Sequence, residues 1–288
     1  MFGRCSLVLG AFLCVLFVLG VGSPGNLIYH VVPASWYYSL LDWKHGDPQG
    51  SNRMIVPWSE LDRINNLAVI FVIGQSNGAN SAELRMSARH DSVYYLKGKK
   101  LTRALDPLPG STGEGGSPWP LVGDNFLKLG VFDGVIFVGC SVGGSSVGHW
   151  VPDGKLHSVL VKRLRDLRKV GLEPSHVFWH QGESDAQRGT NTEDYLRRLT
   201  EVIQSLRKYG VDCPIFVANA SYVEEMTSPD VKHAQRLIVS PVNRIFAGPD
   251  TDKLGEAFRQ DGVHWNQKGQ REVAMLWVES IVSQLELP

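Results

Sequence analysis

The sequence predicts an α/β protein whose parallel sheet is buried between helical layers. Three observations predict it. Five short apolar runs, at residues 67–73, 134–139, 176–180, 215–219 and 244–247, are rich in Val, Ile and Phe. None alternates cleanly between apolar and polar residues, the pattern of strands covered on both faces. Amphipathic stretches separate them, and strand–helix alternation builds a parallel sheet. Composition fits: 43% of the 288 residues are hydrophobic and 20% are charged, enough apolar material for a large core. Lys plus Arg and Asp plus Glu each number 29, so the formal net charge is zero. With no basic run, nothing supports binding to nucleic acid, which rests on phosphate neutralisation.

The first 25 residues precede the folded domain. From Cys5 to Gly22 the chain is uncharged and almost wholly apolar, with Arg4 before it and Lys44 the next basic residue. This run reads as an uncleaved membrane anchor or as a cleaved signal peptide with Gly20 and Gly22 near the cut. Either way, the charge asymmetry exports the remainder of the chain, so an extracytoplasmic location is expected. Residues 26–65 form an aromatic-rich connector expected to pack partly on the domain, which occupies residues 66–288. An exported chain raises the question of disulfides. Cys5 and Cys14 lie in the leader, Cys140 ends one predicted strand and Cys213 precedes another. In a parallel sheet the last two stand at opposite ends, so no disulfide is expected.

The helices are legible from their faces. Leu156, Val159, Leu160, Leu164 and Leu167 share one; Tyr195, Leu199, Ile203 and Leu206 share another. The second is opened by a Thr190…Glu193 capping-box pattern and closed by Gly210. The last helix carries Val273, Trp277, Ile281 and Leu285. Residues 78–130 read as one loop-rich stretch, and a loop of that length in a compact domain is usually functional.

Four blocks carry chemistry. The strand at 67–73 runs into Gly74-Gln75-Ser76-Asn77-Gly78, a glycine-flanked serine at a strand end that fits a nucleophile turn. It equally fits a glycine-rich turn with a capping serine. Near the other end, Asp261-Gly262-Val263-His264 sets a carboxylate three residues before a histidine. That spacing lets the carboxylate accept the Nδ1 proton and aim Nε2 at a serine, although a lone pair of this kind is more often a cap beside a surface histidine. The two signals reinforce one another because strand ends of one sheet converge on a single crevice. Between them lie Gly139-Cys140-Ser141-Val142-Gly143-Gly144-Ser145-Ser146 and Trp179-His180-Gln181-Gly182-Glu183-Ser184-Asp185. Gly143 or Gly144 can offer a backbone N–H to an oxyanion, and Gln181 a side-chain donor. For His180, Glu183 and Asp185, a metal site and a structural hydrogen-bond network are the competing readings. A serine on the first core strand and an acid beside the histidine argue against the α/β-hydrolase fold.

Taken together, GQSN, GGSS followed by Trp150, HQGESD and DGVH resemble the SGNH hydrolase superfamily. More narrowly they resemble its sialate O-acetylesterase and acetylxylan esterase group, carbohydrate esterase family six, over about residues 66–286. The resemblance implies a three-layer fold with a five-stranded parallel sheet, Ser76 as nucleophile, His264 as base and Asp261 as its orienter. It also implies oxyanion donors from the Ser76 N–H, the Gly143–Gly144 loop and the third block. Gln181 is assigned there because the asparagine of the wider superfamily is absent. The implied reaction removes O-acetyl groups from a carbohydrate through an acetyl-serine, with no metal or organic cofactor. Asn77, Trp150 and Trp265 are candidate substrate contacts, and Trp119 a further stacking candidate. An O-acetyltransferase of the same fold and a non-catalytic carbohydrate-binding module are the alternative functions.

Overall fold

The computed structural model describes residues 54–285; the leader, the connector up to residue 53, Cys5 and Cys14 lie outside the described residues. Seven strands form one sheet: β1 (Leu67–Gly74), β2 (Val93–Lys97), β3 (Lys100–Arg103), β4 (Gly134–Ser141), β5 (His176–His180), β6 (Ile215–Asn219) and β7 (Ile245–Asp250). Their order is β3-β2-β4-β1-β5-β6-β7, which puts β1 at the centre. All neighbouring pairs are parallel except β2 with β3.

The five apolar runs are β1, β4, β5, β6 and β7. The five-strand expectation omits the β2–β3 hairpin, which lies within the stretch that reads as loop. Its turn is the two residues Gly98-Lys99, with Gly98 at φ 58°, while Tyr94, Tyr95, Leu96 and Leu101 are buried. Residues 54–56 extend this edge: Val56 is buried and its N–H donates to the Leu101 carbonyl at 2.9 Å.

Side chains of β1 leave the sheet on alternate faces, as a pleated strand requires. Val69, Phe71 and Ile73 enter a core shared with α2 (His157–Arg168), α4 (Thr192–Lys208) and α5 (Pro229–Leu237). Ala68, Ile70 and Val72 enter a second core with α1 (Trp119–Lys128) and α6 (Gln267–Leu285). The two cores make three layers, with Leu160, Leu164, Leu167, Tyr195, Leu199, Ile203, Leu206, Val273, Trp277 and Ile281 all buried. The cap of α4 differs from the expected Thr190. Asn191 holds the N-cap, its side chain accepting the Asp194 N–H at 2.8 Å. Thr190 instead donates to Asp185 at 2.9 Å.

The chain leaves β1 for β4 by way of α1 on one face, then returns over the other face through α2 to β5 on the opposite side of β1. This reversal opens a crevice at the carboxyl end of β1, where ligands bind in sheets of this kind. Cys140 is buried near the end of β4 and Cys213 is half-buried before β6. Among the described residues no helix is long and apolar enough to cross a membrane.

Candidate active site

Ser76 sits at that crevice. It opens a single 3-10 turn, Ser76–Gly78, directly after β1, and is 6% exposed. The turn is held from three sides. The Gln75 N–H donates to the His180 carbonyl at 3.0 Å, the Val142 N–H to the Gly74 carbonyl at 2.9 Å, and Trp119 Nε1 to the Gly78 carbonyl at 3.0 Å. Gly74 is required here because a Cβ would collide with the His180 carbonyl of the neighbouring strand.

Asp261 and His264 lie in the irregular segment before α6. Asp261 Oδ2 is 2.7 Å from His264 Nδ1, and its Oδ1 accepts the N–H groups of His264 at 2.7 Å and Val263 at 3.1 Å. Partial burial opposes ionisation of this carboxyl, but these three donors outweigh it and hold Asp261 below the usual carboxylate range. Gly262, at φ 77°, supplies the left-handed residue that folds the carboxylate back onto the ring.

One side chain joins this segment to the serine turn. Asn77 Nδ2 donates to the Val263 carbonyl at 3.1 Å and to Glu183 Oε1 at 2.7 Å. The residue after Ser76 is therefore bonded to the residue before His264. The Val263 carbonyl also accepts from Arg259 Nη1 at 2.7 Å. Arg259 is buried, with its guanidinium 3.5 Å from the Trp265 ring centroid and its other N–H groups on the Leu254 and Thr251 carbonyls. Burial lowers its pKa to about 10, against the favourable charges of Glu183 and Asp252, so it remains a cation. Glu183 is buried as well, and that burial raises its pKa despite the Asn77 hydrogen bond.

The donors expected around an oxyanion divide. Gly143 and Gly144 are exposed at the rim, and a Cβ on Gly143 would lie 3.8 Å from Ser76 Cβ. The Gly143 N–H donates to Thr112 Oγ1 at 2.7 Å, so the threonine from the long loop sits where an oxyanion would compete for that donor. Gln181 does not face the crevice and its expected donor role needs correcting. It has no exposed surface, and its Nε2 donates to Asp185 Oδ2 at 2.7 Å, the Ser145 carbonyl at 3.1 Å and Gln75 Oε1 at 3.2 Å. Its Oε1 accepts from the Tyr195 hydroxyl at 3.0 Å. The amide is committed to the floor beneath the crevice, with no N–H left for an oxyanion.

The expected substrate contacts are also in the floor. Asn77 is 1% exposed, and Trp119, Trp150 and Trp265 have no exposed surface, so none can stack on a sugar. Trp150 Nε1 donates to Ser145 Oγ at 3.1 Å. The rival metal reading finds no cluster: among the described residues no three His, Cys, Asp or Glu side chains are placed to hold an ion. Asp185 accepts from Val147 N–H, Gln181 and Thr190. Two contributors, Thr112 and Arg259, carry no motif in the sequence, and a third, Gln75, stands inside the GQSN block with no role assigned to it there; its Oε1 accepts the Ser184 N–H at 3.0 Å.

A strand-end serine and, on a segment bonded to its turn through Asn77, an Asp–His pair stand at the switch-point crevice of a three-layer sheet. Residues 66–283 match the family described as carbohydrate esterase, sialic acid-specific acetylesterase. The chain belongs to that family. A probable carbohydrate esterase of Arabidopsis thaliana is 36% identical over 70 residues, which make up 24% of this chain and 27% of that relative. An X-ray structure of an Arabidopsis thaliana protein superposes with a TM-score of 0.61 at 20% identity, covering 75% of this chain and 98% of that one. The structure of NanS gives 0.53 at 17% identity, covering 77% and 98%. At these identities the two structures show a shared fold.

Proposed function

We propose that the chain is a serine esterase that removes O-acetyl groups from a carbohydrate. The observation that carries this reading is the 2.7 Å Asp261–His264 pair, whose segment is bonded through Asn77 to the turn bearing Ser76. In this mechanism Ser76 Oγ attacks the acetyl carbonyl as His264 Nε2 takes its proton. Asp261 fixes the tautomer and stabilises the imidazolium. The Ser76 N–H and the Gly143–Gly144 turn receive the oxyanion, with the Thr112 hydroxyl rotating off the Gly143 N–H. His264 then gives its proton to the departing sugar oxygen, and water, deprotonated by the same imidazole, releases acetate from Ser76.

The family supports an acetylated sugar as substrate. The test combines a fluorophosphonate probe with acetate release from a panel of O-acetylated sugars. Ser76 should carry the label, and Ser76→Ala should neither label nor release acetate. A label on another serine, or acetate release by a folded Ser76→Ala chain, rejects the mechanism.

A further inference from the structure

Of the three donor sources expected around the oxyanion, one is spent elsewhere. The block that closes β5 and opens the short helix α3 (Glu183–Gln187) holds Gln181, whose amide is committed to Asp185, Ser145 and Gln75 beneath the crevice. A different side chain stands beside the Gly143 turn. Thr112 comes from the loop between β3 and α1, and its Oγ1 accepts the Gly143 N–H at 2.7 Å. A Cβ on Gly143 would lie 3.4 Å from that oxygen and 3.8 Å from Ser76 Cβ. An atom at that point touches both residues and collides with neither. Glycine therefore leaves room for a substrate atom between the hydroxyl and the nucleophile.

The backbone around Thr112 is fixed by the elements that frame Ser76. The Thr112 N–H donates to the Ser141 carbonyl, at the end of β4, at 2.9 Å, and its carbonyl accepts the Asn80 N–H at 3.0 Å. Asn80 stands two residues past the serine turn. Its Nδ2 donates to the Leu108 carbonyl at 3.0 Å and its Oδ1 accepts the Leu108 N–H at 2.5 Å. Ser111 Oγ accepts the Ser141 N–H at 3.1 Å. With the backbone held, one side-chain torsion is left to move the hydroxyl, and a donor fixed in advance costs little reorganisation when charge develops. Thr112 is half-buried and Gly143 exposed. Among the described residues the Thr112 hydroxyl donates to no acceptor.

We infer that Thr112 is a catalytic residue whose hydroxyl donates to the oxyanion formed on the acetyl carbonyl, in the place expected of Gln181. This rests on the esterase reading above. A hydroxyl both accepts and donates. In the resting enzyme Oγ1 accepts from Gly143, and a neutral ester carbonyl is too weak an acceptor to displace it. As Ser76 attacks, the carbonyl oxygen gains charge and takes the Gly143 N–H. The rotation that frees this N–H turns the Thr112 proton towards the same charge. Hydrogen bonds to an ionised acceptor are about twice as strong as neutral ones, so the exchange is favoured in the transition state and not before it. The contribution of Thr112 therefore belongs to kcat and not to KM.

The test compares the full chain with Thr112→Val, which keeps the shape and deletes the hydroxyl, and Thr112→Ser, which keeps the hydroxyl. Each is measured for kcat and KM on an O-acetylated sugar and on 4-nitrophenyl acetate, for the rate of Ser76 labelling by a fluorophosphonate, and for melting temperature. Thr112→Val should melt with the wild type yet lose about a hundredfold in kcat, the scale of one oxyanion donor, and label correspondingly more slowly with KM little changed. Thr112→Ser should keep most of the rate. A kcat in folded Thr112→Val at or above the wild type overturns the assignment, because the hydroxyl would then only obstruct the Gly143 N–H. Equal losses in both variants overturn it as well, since the position and not the hydroxyl would matter. So does a raised KM with unchanged kcat, the mark of a ground-state contact. If the wild type labels and cleaves the aryl ester but releases no acetate from sugars, the carbohydrate reading falls, and Thr112 stands or falls on the other two rates. If the wild type neither labels nor cleaves either ester, the esterase reading falls and takes the Thr112 role with it.

Discussion

His180 closes β5 with a sealed ring: it has no exposed surface, and neither nitrogen has a hydrogen-bond partner among the described residues. Its neighbours are the rings of Trp265 and Trp277, with centroids 6.1 and 6.0 Å away. Glu183 Oε1 lies 3.9 Å from Nε2, beyond hydrogen-bond reach. Burial, and then the Arg259 charge, lower the His180 pKa from 6.5 to about 3. The folded ring therefore stays neutral at pH 5, while the unfolded ring binds a proton. Stability must fall as pH drops from 6.5 towards 3, and this group contributes nothing further above that window. Linkage puts the unfolded-state gain at about 2 kcal/mol at pH 5 and about 0.2 kcal/mol at pH 7. His176, lowered to about 4 by burial and then by Arg244, adds a loss of the same sign. His180→Phe keeps an aromatic ring in the slot and removes the titration. Its packing cost is common to both pH values and cancels in the difference. Urea unfolding followed by tryptophan fluorescence at pH 7 and pH 5 measures that difference directly. The variant should lose about 2 kcal/mol less than the wild type between the two. Equal losses would refute the argument that a buried, neutral His180 sets this part of the acid sensitivity.

Three further outcomes are expected at the site. Asp261→Asn should keep its melting temperature yet lose about 10⁴-fold in kcat, since the amide can hold the wrong imidazole tautomer; steady-state kinetics on the folded variant checks it. Gln181→Ala should lower unfolding free energy by about 1–3 kcal/mol by stripping buried partners from Asp185 and Tyr195. Wild-type stability with a loss of kcat alone would restore the oxyanion role. Gly74→Ala should cost about 3 kcal/mol as its Cβ meets the His180 carbonyl, with expression and thermal melting as the readout.

The legible parts of this protein are those encoded over short distances. Each central strand declares itself in a handful of consecutive residues, and the Asp261–His264 pair needs only three steps of chain. The β2–β3 hairpin is equally local, with Gly98-Lys99 between two β-rich runs, but the surrounding glycines, prolines and serines of residues 78–130 obscure it. Burial is different. Asn77 meets partners 106 and 186 residues away, and Gln181 meets Gln75 across 106. No spacing rule tells a side chain that faces substrate from one that holds the floor, so Gln181, Asn77, Trp150 and Trp265 read from sequence as facing outward. Arg259 carries no visible motif because its role is to grip backbone carbonyls, which any sequence supplies.

The Asn77 amide has a consequence for how the enzyme dies on heating. Irregular segments usually open before the elements they join, because few internal bonds hold them. The Val263 carbonyl of the segment bearing His264 is fastened to a buried amide on the central strand's turn, and the same carbonyl accepts from the segment's own buried Arg259 guanidinium. The segment cannot lift away without costing the amide one of its two acceptors and the guanidinium one of its three, so it melts with the sheet and not ahead of it. Heat inactivation and global unfolding should then share one transition, and partial inactivation at lower temperature should be absent.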